Sequence, residues 1–271
     1  MIGIIVGLGL FVAAWFLRQQ KESVGDTLRT IQLTDTSTVV ELKKIHQAIV
    51  DELGSGAFKQ EVELKGNIRA NNPLTSELAE EDCVYYCTHI EEEYERTYYE
   101  TDDDGNRVRK TDRETRKLAG NETSIRFNLE DNTGKILVNP NHADIDALQV
   151  VDHYEPYNGN KKIKYKKFKL AHDSRQSQDH RILGYRFQEW VLRVGMPIYV
   201  LGEVNDREDQ LMVQKPSDTE EEERPYIITH KTEAELIEDK KGDQTFLTFG
   251  WWGCLIGGTI AVIWGILELL S

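Results

Sequence analysis

The sequence contains none of the common signatures of enzymatic chemistry. Gly-x-Ser-x-Gly, His-Glu-x-x-His, the phosphate-binding loop and the dinucleotide-binding fingerprint are all absent from its 271 residues. These absences disfavour a hydrolase. We predict no catalytic residue, no metal and no cofactor.

Cysteine is scarce, with three residues in the chain. Cys254 lies in an apolar stretch, and Cys83 and Cys87 are too few to define a disulfide framework, so a reducing compartment is equally compatible. On one strand their even spacing puts both thiols on the same face. We expect them to be small buried residues of a β core rather than a redox pair.

Positive charge is in the minority. The 33 Lys and Arg residues against 47 Asp and Glu give a net charge of −14, which argues against nucleic acid as a partner. One basic patch alternates with apolar residues as in a strand, and it suits either contact with anionic lipid headgroups or an edge strand protected from aggregation. Its lysines are Lys161, Lys162, Lys164, Lys166, Lys167 and Lys169.

Two acidic clusters resemble metal sites only loosely. Residues 102–106 read Asp-Asp-Asp-Gly-Asn, but the acid that a calcium loop needs six residues after the glycine falls on Thr111, so we expect a hairpin turn. His142, Asp144 and Asp146 have no second cluster to complete a site. We expect them to be solvated loop residues.

An apolar stretch lies at each end of the chain, over residues 1–17 and 246–270, with Glu268 the one charge in either. A helix needs about 20 apolar residues to cross the bilayer, so the second stretch passes and the first passes marginally. No Lys or Arg precedes the first stretch and no small-x-small pattern follows it, which favours an uncleaved anchor over a signal peptide. The scarcity of polar residues in both disfavours a transporter or channel.

Small residues suggest that the two apolar helices pack together. They repeat every four residues in the second helix, and the first offers a matching notch, so backbones can approach closely within one chain or between chains of a homo-oligomer. The predicted packing residues are Gly3, Gly7, Gly253, Gly257, Ala261 and Gly265.

The residues that flank the apolar stretches predict the side of the membrane on which the connecting domain lies. Trp15 and Phe16 end the first stretch, and aromatic residues from Phe246 to Trp252 open the second, as at a shared membrane interface. The nearest basic residues lie on the inner sides of both stretches and none lies on either tail. The positive-inside rule therefore favours a cytoplasmic over a periplasmic domain, in a two-pass protein of a prokaryotic cell membrane.

The rest of the chain divides by pattern. Thr38 and Glu41 form a capping box that predicts an amphipathic helix over residues 39–53, ended by Gly54 and Gly56. We expect five segments: transmembrane helix 1–17, helical linker 18–56, β-rich domain 57–230, closing helix 231–245 with a short helix from Glu233, and transmembrane helix 246–270.

Period-two alternation predicts the strands of the β-rich domain. Eight or more short strands with few helices between them indicate an antiparallel barrel or sandwich. The predicted strands lie near residues 62–68, 84–90, 161–170, 184–191, 197–204, 211–214 and 226–229, with hairpins turning at 102–106 and 131–134.

Several short motifs in a fixed order resemble one family. They are Lys65-Gly66, Pro73-Leu74-Thr75-Ser76, Cys83-Val84-Tyr85-Tyr86, Gly184-Tyr185-Arg186-x-x-Glu189-Trp190, Gly195-x-x-x-Tyr199-Val200-Leu201-Gly202-Glu203-Val204, Ile227-Ile228-Thr229 and Thr232-Glu-Ala-Glu-Leu236. Together they resemble the β-rich GIDE, or beside-a-membrane (BAM), domain of membrane-anchored mitochondrial E3 ubiquitin ligases, which lies between two membrane helices.

The resemblance implies a ligase family, yet the sequence departs from it. Those ligases carry a RING domain beyond the second helix, and a RING needs eight Cys or His ligands around two zinc ions. Such ligands do not follow the second helix in these 271 residues, so we expect a RING-less, prokaryotic-type member. The relatives hold this domain in the intermembrane space, which would correspond to the periplasm.

The motif residues also have structural interpretations. Gly66, Gly184 and Gly202 suit bulges or close backbone approach. Arg186 and Glu189 lie on opposite faces if they share a strand.

Two functions follow from these observations. The first is a non-enzymatic, membrane-apposed binding or scaffold module for an unidentified protein partner or for the lipid bilayer. The alternative is a ubiquitin ligase-like protein, or a subunit acting with a separate catalytic chain.

Overall fold

The protein is described by a computed structural model over residues 2–102, 105–159, 162–171, 179–208, 210–216 and 224–270. Its helices are α1 (Ile2–Leu33), α2 (Val39–Leu53) and α3 (Glu233–Leu270). Its strands are β1 (Lys59–Arg69), β2 (Leu74–Thr75), β3 (Asp82–Thr101), β4 (Arg107–Ser124), β5 (Phe127–Glu130), β6 (Lys135–Val138), β7 (Asp144–Asp146), β8 (Leu148–Pro156), β9 (Lys162–Tyr165), β10 (Phe168–Ala171), β11 (His180–Arg193), β12 (Pro197–Asn205), β13 (Met212–Gln214) and β14 (Ile227–Thr229). The predicted class, a mainly β domain between two long apolar helices, is confirmed.

A five-stranded barrel holds the main core. Its strands follow the order β1–β5–β6–β13–β12, and β12 closes the ring by pairing antiparallel with β1. β14 pairs with β12 beside β13, and β7 adds to β14. The pairs β6–β13 and β7–β14 are parallel, unlike the antiparallel arrangement predicted. Fully buried apolar side chains fill the interior, among them Leu64, Leu129 and Val200.

A second sheet packs beside the barrel in the order β2–β3–β11–β8, with β4 paired to β3. β3 and β4 form one antiparallel hairpin with strands of 20 and 18 residues. The sequence predicted the turn of this hairpin, although Asp103 and Asp104 within it lie outside the described residues. It missed most of β4, because that strand is largely exposed and polar on both faces and lacks apolar alternation.

A β-bulge overturns the prediction that Cys83 and Cys87 share a face. Cys83 pairs with Arg193 and Tyr85 with Leu192, so the strand gains one residue at Val84. Cys83 consequently packs with Tyr86 on one face of β3, whereas Cys87 packs against the barrel core on the other.

The lysine-rich segment is a hairpin rather than the single strand predicted. β9 and β10 pair antiparallel with Tyr165 opposite Phe168, and Lys166 turns the chain in the left-handed region at φ 48°. The sequence offers no Gly, Pro, Asn or Asp to mark this turn. Lys161 lies outside the described residues.

The predicted helix over residues 39–53 is confirmed as α2. The capping box of Thr38 and Glu41 starts it, and Gly54 ends it at φ 85°. The carboxylate of Asp131 accepts the Val39 N–H at 2.8 Å. This bond ties the start of α2 to the β5–β6 turn.

Both terminal helices are longer than predicted. α1 continues without a break from the apolar stretch to Leu33, and α3 joins the predicted closing helix and the second apolar stretch in one helix of 38 residues. By length and composition, each is long and apolar enough to cross a membrane.

Candidate functional site

A cleft of about 660 Å³ opens where the barrel meets the start of α3. Four segments line it: residues 65–67 of β1, 130–132 of the β5–β6 turn, 197–199 of β12, and 230–234 at the beginning of α3. The cleft therefore joins residues that lie more than 160 positions apart in the sequence.

β1 brings two of the other lining segments together, because it pairs with both β12 and β5 near Asn67. Lys65 pairs with Tyr199 of β12, and Asn67 is the last β1 residue to pair with that strand. Asn67 is also the first to pair with β5, opposite Glu130. Asn67 thus brings the cleft-lining residues of β12 and of the β5–β6 turn to the two edges of β1, and residues 230–234 complete the lining.

A buried hydrogen-bond network forms one wall of the cleft. Glu63, 1% exposed, accepts hydrogen bonds from the Tyr199 hydroxyl at 2.9 Å and from Lys65 Nζ at 2.8 Å. Lys65 also donates to Glu233 at 2.7 Å. Burial and the neighbouring Glu63 carboxylate raise the pKa of Tyr199. Burial alone would lower the pKa of Lys65, but its bonds to Glu233 and Glu63 raise it.

Other charged groups on the rim are also paired within the chain. Lys231 Nζ lies 2.7 Å from Asp239 and 3.0 Å from Asp146, and these hydrogen bonds raise its pKa to about 12. Glu130 pairs with Lys135 and Arg69, which lowers its pKa. Because these charges are compensated, the cleft offers a partner mainly apolar surface and amide groups.

The sequence motifs meet at this cleft only in part. Gly66 lies in its wall, where a Cβ atom would come 2.6 Å from the Glu130 carbonyl oxygen. The cleft is also lined by Lys65, by Tyr199 and by the Thr232-Glu-Ala motif. Asn132 and His230 also line the cleft and were missed by the sequence analysis. The capping box of Thr232 with Glu235 marks the start of α3 and could have pointed to this region.

Gly184 and Gly202 serve close packing elsewhere. At Gly184 a Cβ atom would lie 2.5 Å from the Tyr154 ring, and at Gly202 it would lie 2.7 Å from the Tyr226 ring. Neither position leaves room for a side chain, which agrees with their structural interpretation.

Glu189 holds the loop that follows β2. Its carboxylate is fully buried and accepts the Leu78 N–H at 2.8 Å, the Ala79 N–H at 2.7 Å and the Thr88 hydroxyl at 3.1 Å. Arg186 projects from the opposite face of β11, half exposed, 3.7 Å from Asp152. The two residues therefore lie on opposite faces, and the role of Glu189 is structural.

The remaining motif residues lie in the second sheet or the far side of the barrel. Pro73 precedes β2, Leu74 lies in it, and Ser76 follows it, where its hydroxyl accepts the Glu81 N–H at 3.2 Å. Tyr85, Tyr86 and Tyr185 are buried in the second sheet. Glu203 is fully buried, with Lys59 at 3.3 Å and Arg224 at 3.1 Å.

The described lysines of the basic segment lie away from the cleft. They are exposed on the β9–β10 hairpin, at Lys162, Lys164, Lys166, Lys167 and Lys169. Lys167 pairs with Glu80, and Lys166 reaches the Ala79 carbonyl at 3.5 Å, so the hairpin packs on the loop held by Glu189.

Glycines bring α1 and α3 into backbone contact, but not all the predicted ones take part. A Cβ atom at Gly3 would lie 2.7 Å from the Ala261 carbonyl oxygen, and one at Gly265 would lie 2.7 Å from Ile4 N. Gly7 instead faces Gly258, at 2.8 Å. Gly257 is at the edge of this contact, 3.6 Å from the Leu10 side chain.

Gly253 was predicted to pack and lies outside the contact, since no described atom comes within 4 Å of its Cβ position. The face of α3 that meets α1 contains Gly258, the residue after the predicted Gly257.

Thiol and metal chemistry find little support in the part of the chain that the structure describes. Burial, with the charges of Glu189 and Asp82 nearby, raises the pKa of Cys83 to about 12. No group of three or more His, Cys, Asp or Glu side chains among the described residues is arranged to hold a metal ion. Asp146 lies in β7 rather than in a solvated loop and accepts the Thr229 hydroxyl at 3.0 Å.

Comparison with known proteins identifies a family. A family model described as GIDE, E3 Ubiquitin ligase, matches residues 95–263, which include three of the four segments of the cleft. No curated protein matches the chain, and no solved structure matches it.

Proposed function

The chain belongs to the GIDE family, and on this premise we propose that it is a two-pass membrane protein whose β domain binds a protein partner at the cleft. The observation that carries the proposal is the convergence of four distant segments on one concave surface next to a helix that is apolar enough to cross a membrane. Binding sites are commonly concave and mostly apolar, with a few placed polar groups.

The chemistry of the cleft favours an uncharged polypeptide segment. Lys65, Glu130 and Lys231 are each neutralised by internal ion pairs, so a strongly charged ligand would have to displace those partners. Ile198 and the Tyr199 ring supply apolar contact, and the side-chain amides of Asn67 and Asn132 supply hydrogen-bonding groups.

The proposed orientation places the β domain on the cytoplasmic side. Arg18, Lys21 and Arg29 follow the apolar part of α1, and Lys240 and Lys241 precede that of α3. Short segments near membrane helices that carry such an excess of Lys and Arg remain in the cytoplasm.

Site-specific photo-crosslinking tests the proposal in native membranes. A photoreactive amino acid at Asn132, in the cleft, is expected to give a discrete protein adduct that excess purified chain competes away. The adduct should disappear when Ala234→Trp fills the cleft. The matched control is the same probe at Thr111, exposed on β4. Adducts with lipid alone, or the same adducts from both probes, would contradict the proposal.

Lipid binding through the β9–β10 hairpin is the competing form of a binding module. Hydrogen exchange of β9 amides in the full chain, reconstituted in neutral and in anionic nanodiscs, separates the two. Protein binding predicts equal exchange in both. Protection in anionic nanodiscs that vanishes when the six lysines from Lys161 to Lys169 are replaced by Ser would favour lipid.

The family description supports ubiquitin transfer as a second candidate function. The full chain, incubated with ubiquitin, activating enzyme and a panel of conjugating enzymes, would then form ubiquitin conjugates. Conjugates that appear only after a zinc-binding partner protein is added would indicate a subunit acting with a separate catalytic chain.

A further inference from the structure

α1 and α3 share one uninterrupted line of packing residues. The less exposed positions of α1 recur in steps of four and three from one end of the helix to the other, which is the spacing of a coiled-coil seam. They are Gly3, Gly7, Leu10, Ala14, Leu17, Lys21, Val24, Leu28 and Ile31. In α3 the same spacing selects Ile237, Lys240, Gln244, Leu247, Trp251, Cys254, Gly258, Ala261 and Gly265.

Contacts along the pair keep one antiparallel register. In the apolar part, Gly7 faces Gly258. In the polar part, a Cβ atom at Gly25 would lie 3.1 Å from the Gln244 side chain. Between them, Lys21 Nζ lies 5.6 Å from the centroid of the Trp251 ring. The packing therefore passes the boundary between apolar and polar sequence without a break.

The pair is longer than a bilayer is thick. At about 1.5 Å per residue, α1 spans about 48 Å and α3 about 57 Å, against roughly 30 Å of hydrocarbon. The polar parts of the two helices, residues 18–33 of α1 and 233–245 of α3, would extend beyond the hydrocarbon, and we name them the stalk. By the same rise, the stalk is about 20 Å long.

The far end of the stalk is anchored in the β domain. Ile31 of α1 and Leu236 of α3 are buried with Tyr199, Leu201 and Ile227 in one apolar cluster. Lys65 adds an ion pair to Glu233 at 2.7 Å. These contacts join both helices to the barrel beside the cleft.

We infer that the stalk is a rigid spacer that holds the cleft about 20 Å outside the hydrocarbon boundary. The inference rests on the proposed crossing of the membrane by both helices. A headgroup layer occupies only about 5–7 Å of this height, and charges in water are screened over about 8 Å. The cleft consequently meets its partner in water.

The spacer defines which partners reach the cleft. A segment of another membrane protein, extended at about 3.3 Å per residue, needs at least about six residues beyond its own membrane helix to arrive there. This deepens the proposed function by adding a minimum length to the bound segment.

Paired heptad changes test the spacer in the full chain in liposomes. Removing residues 23–29 together with 239–245 takes one heptad, with its two seam positions, from each helix and keeps the seam in register. A fluorophore at Asn132 reports the distance to acceptor-labelled lipid headgroups by energy transfer. We expect the distance to fall by about 10 Å, and to rise by about 10 Å when one heptad is inserted in each helix instead.

Equal distances in the three chains would overturn the spacer, because the domain would then rest at a height that the stalk does not set. Extraction of the chain by alkaline carbonate would instead overturn the membrane crossing, and the spacer with it. Circular dichroism and thermal unfolding of each variant establish that the β domain is folded before distances are compared.

Discussion

The Tyr199 hydroxyl donates a 2.9 Å hydrogen bond to the buried carboxylate of Glu63 at the point where the barrel meets both long helices. Glu63 also pairs with Lys65, which reaches Glu233 of α3. This one carboxylate therefore links the barrel wall, the cleft and the start of α3.

Tyr199→Phe should destabilise the fold, because it leaves a buried carboxylate oxygen without its hydroxyl donor. We expect a loss of about 1–3 kcal/mol in the free energy of unfolding, measured by urea unfolding of the full chain in detergent. Tyr98→Phe is the matched control, since its hydroxyl bonds to Asp112 in an exposed position. Its cost should stay below about 0.5 kcal/mol. Equal costs would show that the Glu63 bond is unimportant.

Asp206→Asn should make the free energy of unfolding less dependent on pH in the acidic range. Burial alone would raise the pKa of Asp206, but hydrogen bonds from the Gly56 N–H, His46 and the Phe58 N–H lower it. The stabilisation is thus present above the unfolded pKa of about 3.9 and is lost as the pH falls through the lower folded value.

We expect the wild-type chain to lose this contribution below about pH 4, while the variant is already less stable at pH 7 and changes less on acidification. Urea midpoints measured from pH 7 to pH 3 check this. Asp26→Asn, on the exposed surface of the stalk, should follow the wild type. A variant as acid-sensitive as the wild type would refute the assignment.

Gly66→Ala should destabilise the barrel. Its Cβ atom would lie 2.6 Å from the Glu130 carbonyl oxygen, so the backbone of β1 or β5 must move, at a cost of about 1–3 kcal/mol. Gly242→Ala is the control, because no described atom lies within 4 Å of its Cβ position and it lies inside α3. That change should stabilise the helix by about 0.5–1 kcal/mol. Thermal unfolding midpoints should move in opposite directions.

Gly7→Leu should separate α1 from α3 in the chain reconstituted in nanodiscs. A Cβ atom at Gly7 would come 2.8 Å from the Gly258 carbonyl oxygen. A Cβ atom at Gly9 would have no described atom within 4 Å. Spin labels at Gln19 of α1 and Thr245 of α3 report the distance between the two helices in nanodiscs by pulsed electron paramagnetic resonance. The distance should lengthen or broaden in Gly7→Leu and stay unchanged in Gly9→Leu. Identical distributions would place the contact elsewhere.

Local sequence signals predicted the elements that depend on near neighbours. The capping box at Thr38 and Glu41 located the start of α2, because its hydrogen bonds close within one helical turn. The β-rich class followed from alternation along several strands. The single strand expected over residues 161–170 was wrong, since packing imposes a turn at Lys166 that its residue type does not favour.

Period-two reasoning failed where the register shifts. Cys83 and Cys87 were assigned to one face by counting, yet one extra residue at Val84 moves them to opposite faces. A bulge depends on how two strands pair, so it leaves little trace in either strand alone.

The sequence by itself determined what short-range physics encodes: two apolar helices, a capped amphipathic helix and a domain of alternating strands between them. Only the tertiary structure decided that β12 closes a barrel on β1, that Glu63 meets Tyr199, and that α1 and α3 stay paired far beyond their apolar parts. These contacts join residues as many as 230 positions apart, from Lys21 to Trp251. Such contacts depend on how distant segments pack against one another, and no local pattern of residues encodes that packing.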